Sequence, residues 1–388
     1  MADRVFFHIG LPKTGTTYLQ TLLWDNRDEL RRQGVLLPGE SGRQHLWASG
    51  VVREDPNLDR RGPEARHAWN LLREEVNAWE GTAVLSHEFF AAASAEQATH
   101  ATSQLDGAEV HVVVTARDTL SLVTARWQEY VKNGSTVPID DYPESEDTDP
   151  TNEWDWGTLD LGSVLARWGA SVPPQRVHVL TLPKPDEPRE ALWLRFAALV
   201  GIDPSSCSGA ESAQNESLGV VEVELLRRVN PELGDFMSAL DRGNWIRGYL
   251  AEGKLVPRGG DRFWPSEQRV AELRTRGLRI AEQVVAAGYD VIGDADDLRP
   301  PAVVPERRHP DSVTDAELVP VAAAVIASMM ADVRRLTRQN RALLERPPPP
   351  PPPPPPPRPS LPRRAWGRLR RLAGRARRLW PGSQRTDG

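Results

Sequence analysis

Cysteine is almost absent: Cys207 stands alone among 388 residues. An internal disulfide is therefore excluded, and the chain suits a reducing compartment, which places it in the cytoplasm. The N-terminus enters an apolar run at once, without the basic and apolar regions of a secretion signal. A second apolar run, Leu318 to Met330, is too short to span a bilayer. Positive charge is outnumbered in the body. Residues 346–388 hold eleven Arg and one Asp, a net of +10, so the total of −6 leaves −16 for residues 1–345. An acidic body argues against a nucleic-acid-binding main domain, and no specific nucleic acid is expected. A basic tail calls for an anionic partner of its own.

What the chain does have is enough apolar material for a sizeable core, thirteen Trp among it. The length fits one large α/β domain with appendages, or two domains. Val5, Phe6, Phe7 and Ile9 form the short apolar run of a buried parallel strand. Gly10 and Gly15 bracket a loop whose backbone N–H groups can turn inward. After it Tyr18, Leu19, Leu22 and Leu23 return at helical spacing, and the helix is expected over about 16–33. Loop and helix N-terminus together make an anion site. A nucleoside-triphosphate P-loop carries Gly-Lys-Ser/Thr with the hydroxyl on Mg²⁺. Here Thr16 takes the lysine position and Lys13 lies inside the loop. The pattern predicts a phosphate-like group held by Lys13, the hydroxyls of Thr16 and Thr17 and backbone amides, with no metal.

Further strands are expected at 82–88, 108–118 and 176–182, alternating with helices at 64–79, 120–132, 161–168, 188–200, 218–230 and 266–287. Residues 34–39 read as a turn and 40–68 as loop and short helices over the site. The alternation predicts a parallel sheet with helices on both faces, binding its ligand at the carboxyl ends of the strands. Gly15, His87, Glu88 and Arg117 all fall at or just past such ends.

Pro-Lys-Thr-Gly-Thr-Thr-Tyr, residues 12–18, resembles the 5′-phosphosulfate loop of sulfotransferases that use 3′-phosphoadenosine 5′-phosphosulfate (PAPS). The resemblance implies a P-loop-like sulfotransferase domain over residues 1–300 and C-terminal helical appendages. It implies PAPS as co-substrate, bound by Lys13, Thr14, Gly15, Thr16, Thr17 and Tyr18. Arg117-Asp118 after the strand at 108–118 resembles the family's 3′-phosphate segment. Thr119 replaces its proline and Ala125 its serine, so Ser121 or Thr124 is expected to supply the hydroxyl. Lys13 is the candidate for the leaving bridging oxygen, where charge develops. His87 is the first choice of base, Glu88 its rival and His45 the third; the family's lysine before the histidine is Leu85 here. Arg242-Gly243-Asn244-Trp245 resembles a late nucleotide-covering segment.

The reading is a sulfotransferase acting on a hydroxyl or amine of a small-molecule, glycan or lipid acceptor. The alternative is a non-catalytic scaffold on a nucleotide fold, dimeric and membrane-tethered. A small-molecule kinase would need the Lys-Ser/Thr pair, which this loop lacks. Over 312–345 a long helix is expected, with Ile326, Val333 and Asn340 at a and Met329, Leu336 and Leu343 at d of a heptad. It is either a homodimeric coiled coil through 322–343 or a helix docked on the core. The eleven prolines 347–357 make residues 346–361 a stiff linker. In 362–380 Trp366, Leu369, Leu372 and Trp380 line a helical face ringed by arginines, the pattern of a helix on an anionic membrane surface such as the inner face; the alternative is a disordered basic tail that keeps the protein soluble or binds RNA loosely. Residues 381–388 are read as a disordered tail.

Overall fold

A computed structural model describes residues 2–105, 107–145, 152–184, 187–188, 190–209, 217–236 and 238–344. The expected proline linker, basic helix and tail lie outside these residues. Six strands, β1 (Ala2–His8), β2 (Val35–Leu36), β3 (Gly81–Ser86), β4 (Glu109–Ala116), β5 (Val177–Thr181) and β6 (Asp290–Ile292), form one sheet in the order β2-β3-β1-β4-β5-β6. Every pairing is parallel. Alternating residues of the central strands supply two cores. Phe7, Leu85, Val112 and Val114 point to one face, and Phe6, Val84, Val113 and Leu180 to the other. A sheet buried on both faces needs near-continuous apolar strands, which is why β1, β3, β4 and β5 are readable in the sequence.

The helices in the first half are α1 (Thr16–Asp25), α2 (Arg27–Arg32), α3 (Gly42–Val52), α4 (Pro63–Ala78), α5 (Ala95–Ser103) and α6 (Thr119–Lys132). Then come α7 (Trp156–Leu159), α8 (Leu161–Gly169), α9 (Ala191–Val200), α10 (Val220–Val229), α11 (Ala239–Asp241), α12 (Glu267–Ala286) and α13 (Asp315–Leu344). Helices α1, α2 and α9 cover the Phe6 face, and α4, α6, α8 and α12 contribute to the core on the Phe7 face. The fold is α/β, a parallel sheet between helical layers.

Several elements differ from the sequence reading. The first helix breaks in two at Asn26, whose side-chain amide donates to Leu22 O at 2.8 Å and to Ser208 O at 2.9 Å. The expected turn at 34–39 contains edge strand β2, and the loop and short helices expected over 40–68 include the eleven-residue helix α3. Strand β6 escaped notice because three half-exposed residues leave no apolar run. It is held partly by side chains: His178 Nδ1 lies 2.7 Å from Asp290 Oδ2, and His178 stacks on His111. Residues Arg242–Leu255 form a π-helix, which has no sequence period to betray it. The run at 318–330 belongs to a 30-residue helix, α13, which is long and apolar enough to cross a membrane by length and composition.

The chain divides into two compact units, Met1–Met330 and Ala331–Gly388. The first holds the sheet; the described part of the second is the C-terminal half of α13.

Candidate functional site

The chain leaves β1, pairs first with β3 on one side, then crosses to β4 on the other, so the crevice beyond the carboxyl end of β1 is a topological switch point. A cavity of about 1240 Å³ opens there. Among the described residues lining it are eight Lys and Arg against six Asp and Glu, a cationic excess inside an acidic body.

The loop after β1 is pinned from beneath. Ile9 N and Leu11 N donate to Val113 O and Thr115 O, continuing the register with β4. The Thr14 hydroxyl donates to Leu11 O and meets the Thr115 hydroxyl at 2.7 Å. His8, fully buried, bridges Ser86 Oγ at 2.8 Å and Thr115 Oγ1 at 3.5 Å. Burial holds the His8 imidazole down at about 4, so it is neutral and serves as an uncharged peg. Gly10, at φ 67°, has no room for a side chain: a Cβ would lie 2.7 Å from Thr16 Cγ2 and 2.8 Å from Glu88 Cβ. Lys13 itself adopts φ 65°, a conformation that costs a non-glycine residue about 1 kcal/mol. Gly15, at φ 81°, precedes α1 and gives it no side-chain cap. The first N–H groups of α1 are thus left to whatever enters the cavity.

The loop residues do not all face the same way. Lys13, Gly15, Thr16, Thr17 and Tyr18 line the cavity, whereas the Thr14 side chain is turned under the loop and is fully buried. Lys13 does not wait free. Its ammonium sits 2.8 Å from Glu129 Oε2 on α6, with its side chain one-third exposed. Glu129 Oε1 takes Arg247 Nε at 2.7 Å from the π-helix, and Lys132 is close enough to act on the same carboxyl. Burial pushes the Glu129 carboxyl up, but Lys13, Arg247 and Lys132 outweigh it and hold it at about 2.

At the end of β4, Arg117 reaches the cavity with Ser121, Thr124 and Ala125 of α6. The Asp118 carboxylate caps α6 by accepting from Ser121 N at 2.8 Å. Thr124 returns its hydroxyl to Leu120 O at 2.8 Å. Arg117 Nε is buried without a hydrogen-bond partner. Burial lowers the guanidinium's pKa, Asp118 opposes this, and Arg262 lowers it further. Arg262 and Arg307 also line the cavity. A buried arginine with an unsatisfied N–H beside a second cation is a place that an anion would relieve.

At the end of β3 the two base candidates part. Glu88 lines the cavity, accepts from Gln20 Nε2 at 2.9 Å and is held ionised: burial raises it, while His87, Gln20 and Arg126 prevail and lower it. His87 is absent from the cavity wall. Its Nδ1 accepts from Phe89 N at 3.1 Å, and burial, opposed by Glu88 and aided by Arg53 and Arg61, lowers its pKa. His45 has both ring nitrogens engaged, with Pro38 O at 2.8 Å and Ser86 N at 3.0 Å, and sits neutral at about 4 through burial. It is a structural tie between α3 and β3.

Sequence reasoning missed Glu129, Arg126, Arg247, Arg262 and Arg307. Glu129 was within reach, because steps of three and four from Ser121 lead through Ala125 to Gln128 and Glu129, all on the cavity. Arg262 and Arg307 lie in irregular segments where no period points to them. Arg242, in the segment read as nucleotide-covering, is not on the cavity wall; Arg247, five residues on, is. No group of three or more His, Cys, Asp or Glu that could hold a metal occurs among the described residues.

No family model and no curated protein matches the chain. Among solved structures, it is similar to a sulfotransferase from Alicyclobacillus acidocaldarius at 13% identity, over 63% of this chain and 93% of that one, with a TM-score of 0.35.

Proposed function

We propose that the chain transfers a sulfuryl group from PAPS to a hydroxyl or amine. One observation carries the reading: the carboxyl ends of β1, β3 and β4 bring Lys13, an uncapped helix N-terminus, Glu88 and Arg117 around one cationic cavity. The residues fit an anionic nucleotide, because the N-terminus of α1 has no side-chain cap and Arg117 has an unsatisfied donor. PAPS would supply a sulfur whose bond to the bridging oxygen is ready to break. Gly15, Thr16 and Thr17 would hold the 5′-phosphate by backbone and hydroxyl. Arg117, with Arg262 and Arg307, would take the 3′-phosphate. Lys13 would donate to the bridging oxygen as it takes up the electron pair of the broken S–O bond. Glu88 would accept the proton of the acceptor as the new bond to sulfur forms; its place on the wall favours it over His87.

A second reading is supported by Ala125, which lines the cavity where a hydroxyl is expected, and by buried Leu85 in place of a lysine. In it the site binds the nucleotide without turning it over, and the chain serves as a scaffold. Titration calorimetry with adenosine 3′,5′-bisphosphate in the absence of Mg²⁺ tests the site. No heat of binding there, or tighter binding of ATP with Mg²⁺, would remove both readings. Incubation with labelled PAPS and a cell extract then separates turnover from binding alone and names the acceptor.

A further inference from the structure

Helix α13 has two apolar faces and the body uses one. Leu318, Val321 and Val325 are buried, each below a tenth exposed. The stripe Ile326, Met329, Val333, Leu336, Asn340 and Leu343 is left open; its Ile, Val and two Leu are all more than half exposed. We propose that a second copy of this chain covers that stripe, the two α13 helices winding as a parallel two-stranded coiled coil.

The spacing of three and four keeps one seam in line over the exposed length of the helix. The β-branched Ile326 and Val333 fall at a and Leu336 and Leu343 at d, the distribution that selects two strands. Asn340, also at a, meets its own copy in a parallel, in-register pair and fixes that register. The flanks are free of like-charge conflict. Positions e and g carry Val325, Met330, Asp332, Thr337, Gln339 and Leu344. Asp332 is the one charge among them, and Arg335 of its own chain neutralises it at 3.1 Å. Arg334, Arg335, Arg338 and Arg341 take b, c and f, away from the seam. A self-complementary stripe suits an isologous contact between identical chains.

A bilayer is the competing occupant, since the helix is long and apolar enough to cross one. The stripe, however, continues past Asp332 through a stretch holding those four arginines. Each would cost about 2.5–3.5 kcal/mol near the membrane centre. A membrane also favours apolar residues all round, whereas here the C-terminal half is apolar along one seam.

The test uses the full chain carrying Cys207→Ser, so that an added cysteine is the sole thiol. With Leu336→Cys, mild oxidation is expected to give a disulfide-linked dimer; with Arg334→Cys, on the outer face, it is not. Light scattering should return twice the 43.1 kDa chain mass. Val333→Asp, at an exposed position, should return the single mass with the melting of the body unchanged. A single mass for the unaltered chain or equal cross-linking at both cysteines would overturn the proposal. So would co-sedimentation of the Leu336→Cys chain with neutral lipid vesicles that shield its introduced thiol from alkylation.

Discussion

Lys13 and Glu129 are joined across the mouth of the cavity, the lysine ammonium 2.8 Å from a carboxylate that is itself almost fully buried. Anion and carboxylate therefore compete for one cation. A phosphate-like group that took Lys13 from Glu129 would leave Arg247 and Lys132 to balance the carboxylate.

Replacing Glu129 by Gln removes the competitor. The affinity for adenosine 3′,5′-bisphosphate is expected to rise, read by calorimetry. Arg247 keeps Glu252 at 3.1 Å while Lys13 loses its carboxylate, and stability should fall by about 1.5 kcal/mol, the lower end for a hydrogen bond to a charged group. Unchanged affinity would show that the pair does not oppose binding.

Lys13→Ala should lower turnover by about 10²–10³, the scale for losing one transition-state donor. The same variant loses the partner of Glu129, so its melting temperature is measured beside its rate. Full activity would take Lys13 out of the chemistry.

Glu88→Gln keeps the bond to Gln20 within reach but cannot accept a proton. It should abolish the pH-dependent limb of turnover while leaving nucleotide affinity near that of the native chain. His87→Ala should change turnover little. The reverse outcome would return the role of base to His87.

Arg117→Ala should weaken adenosine 3′,5′-bisphosphate by about 10–100-fold, the worth of one or two charge-assisted hydrogen bonds, and leave adenosine 5′-monophosphate nearly unaffected. Equal losses for both nucleotides would place Arg117 elsewhere than at the 3′ end.

Buried His8 and His45 set an acid limit. Both are depressed to about 4 by burial, so between pH 6.5 and 4 the unfolded chain binds protons that the folded chain does not. Their contribution to stability is complete above pH 6.5 and drains away as pH falls toward 4. Urea unfolding at pH 7.5 and 5 should show the loss, and His45→Gln should flatten it. A midpoint independent of pH over this range would mean the two rings are charged when folded.

The parts of the fold that could be read were those where one physical demand dominates. Val5–Ile9 and Val110–Ala116 are mostly apolar because a central parallel strand is buried on both faces, and the Gly10–Gly15 loop is marked by positions with no space or an unusual φ. The short edge strands β2 and β6 rest on neighbours rather than on their own pattern. The same holds at the site. Lys13 and Arg117 could be placed because a strand end precedes each. Which of His87 and Glu88 lines the cavity depends on the turn at Glu88–Ala92 rather than on the residue types.

The hydroxyl and imidazole chain under the loop, Thr14–Thr115–His8–Ser86, binds three strands to one short turn. A receptor already rigid before its guest arrives spends little entropy on closing around it. Nucleotide association should then be rapid and leave amide exchange in residues 8–16 almost as slow as in the empty protein.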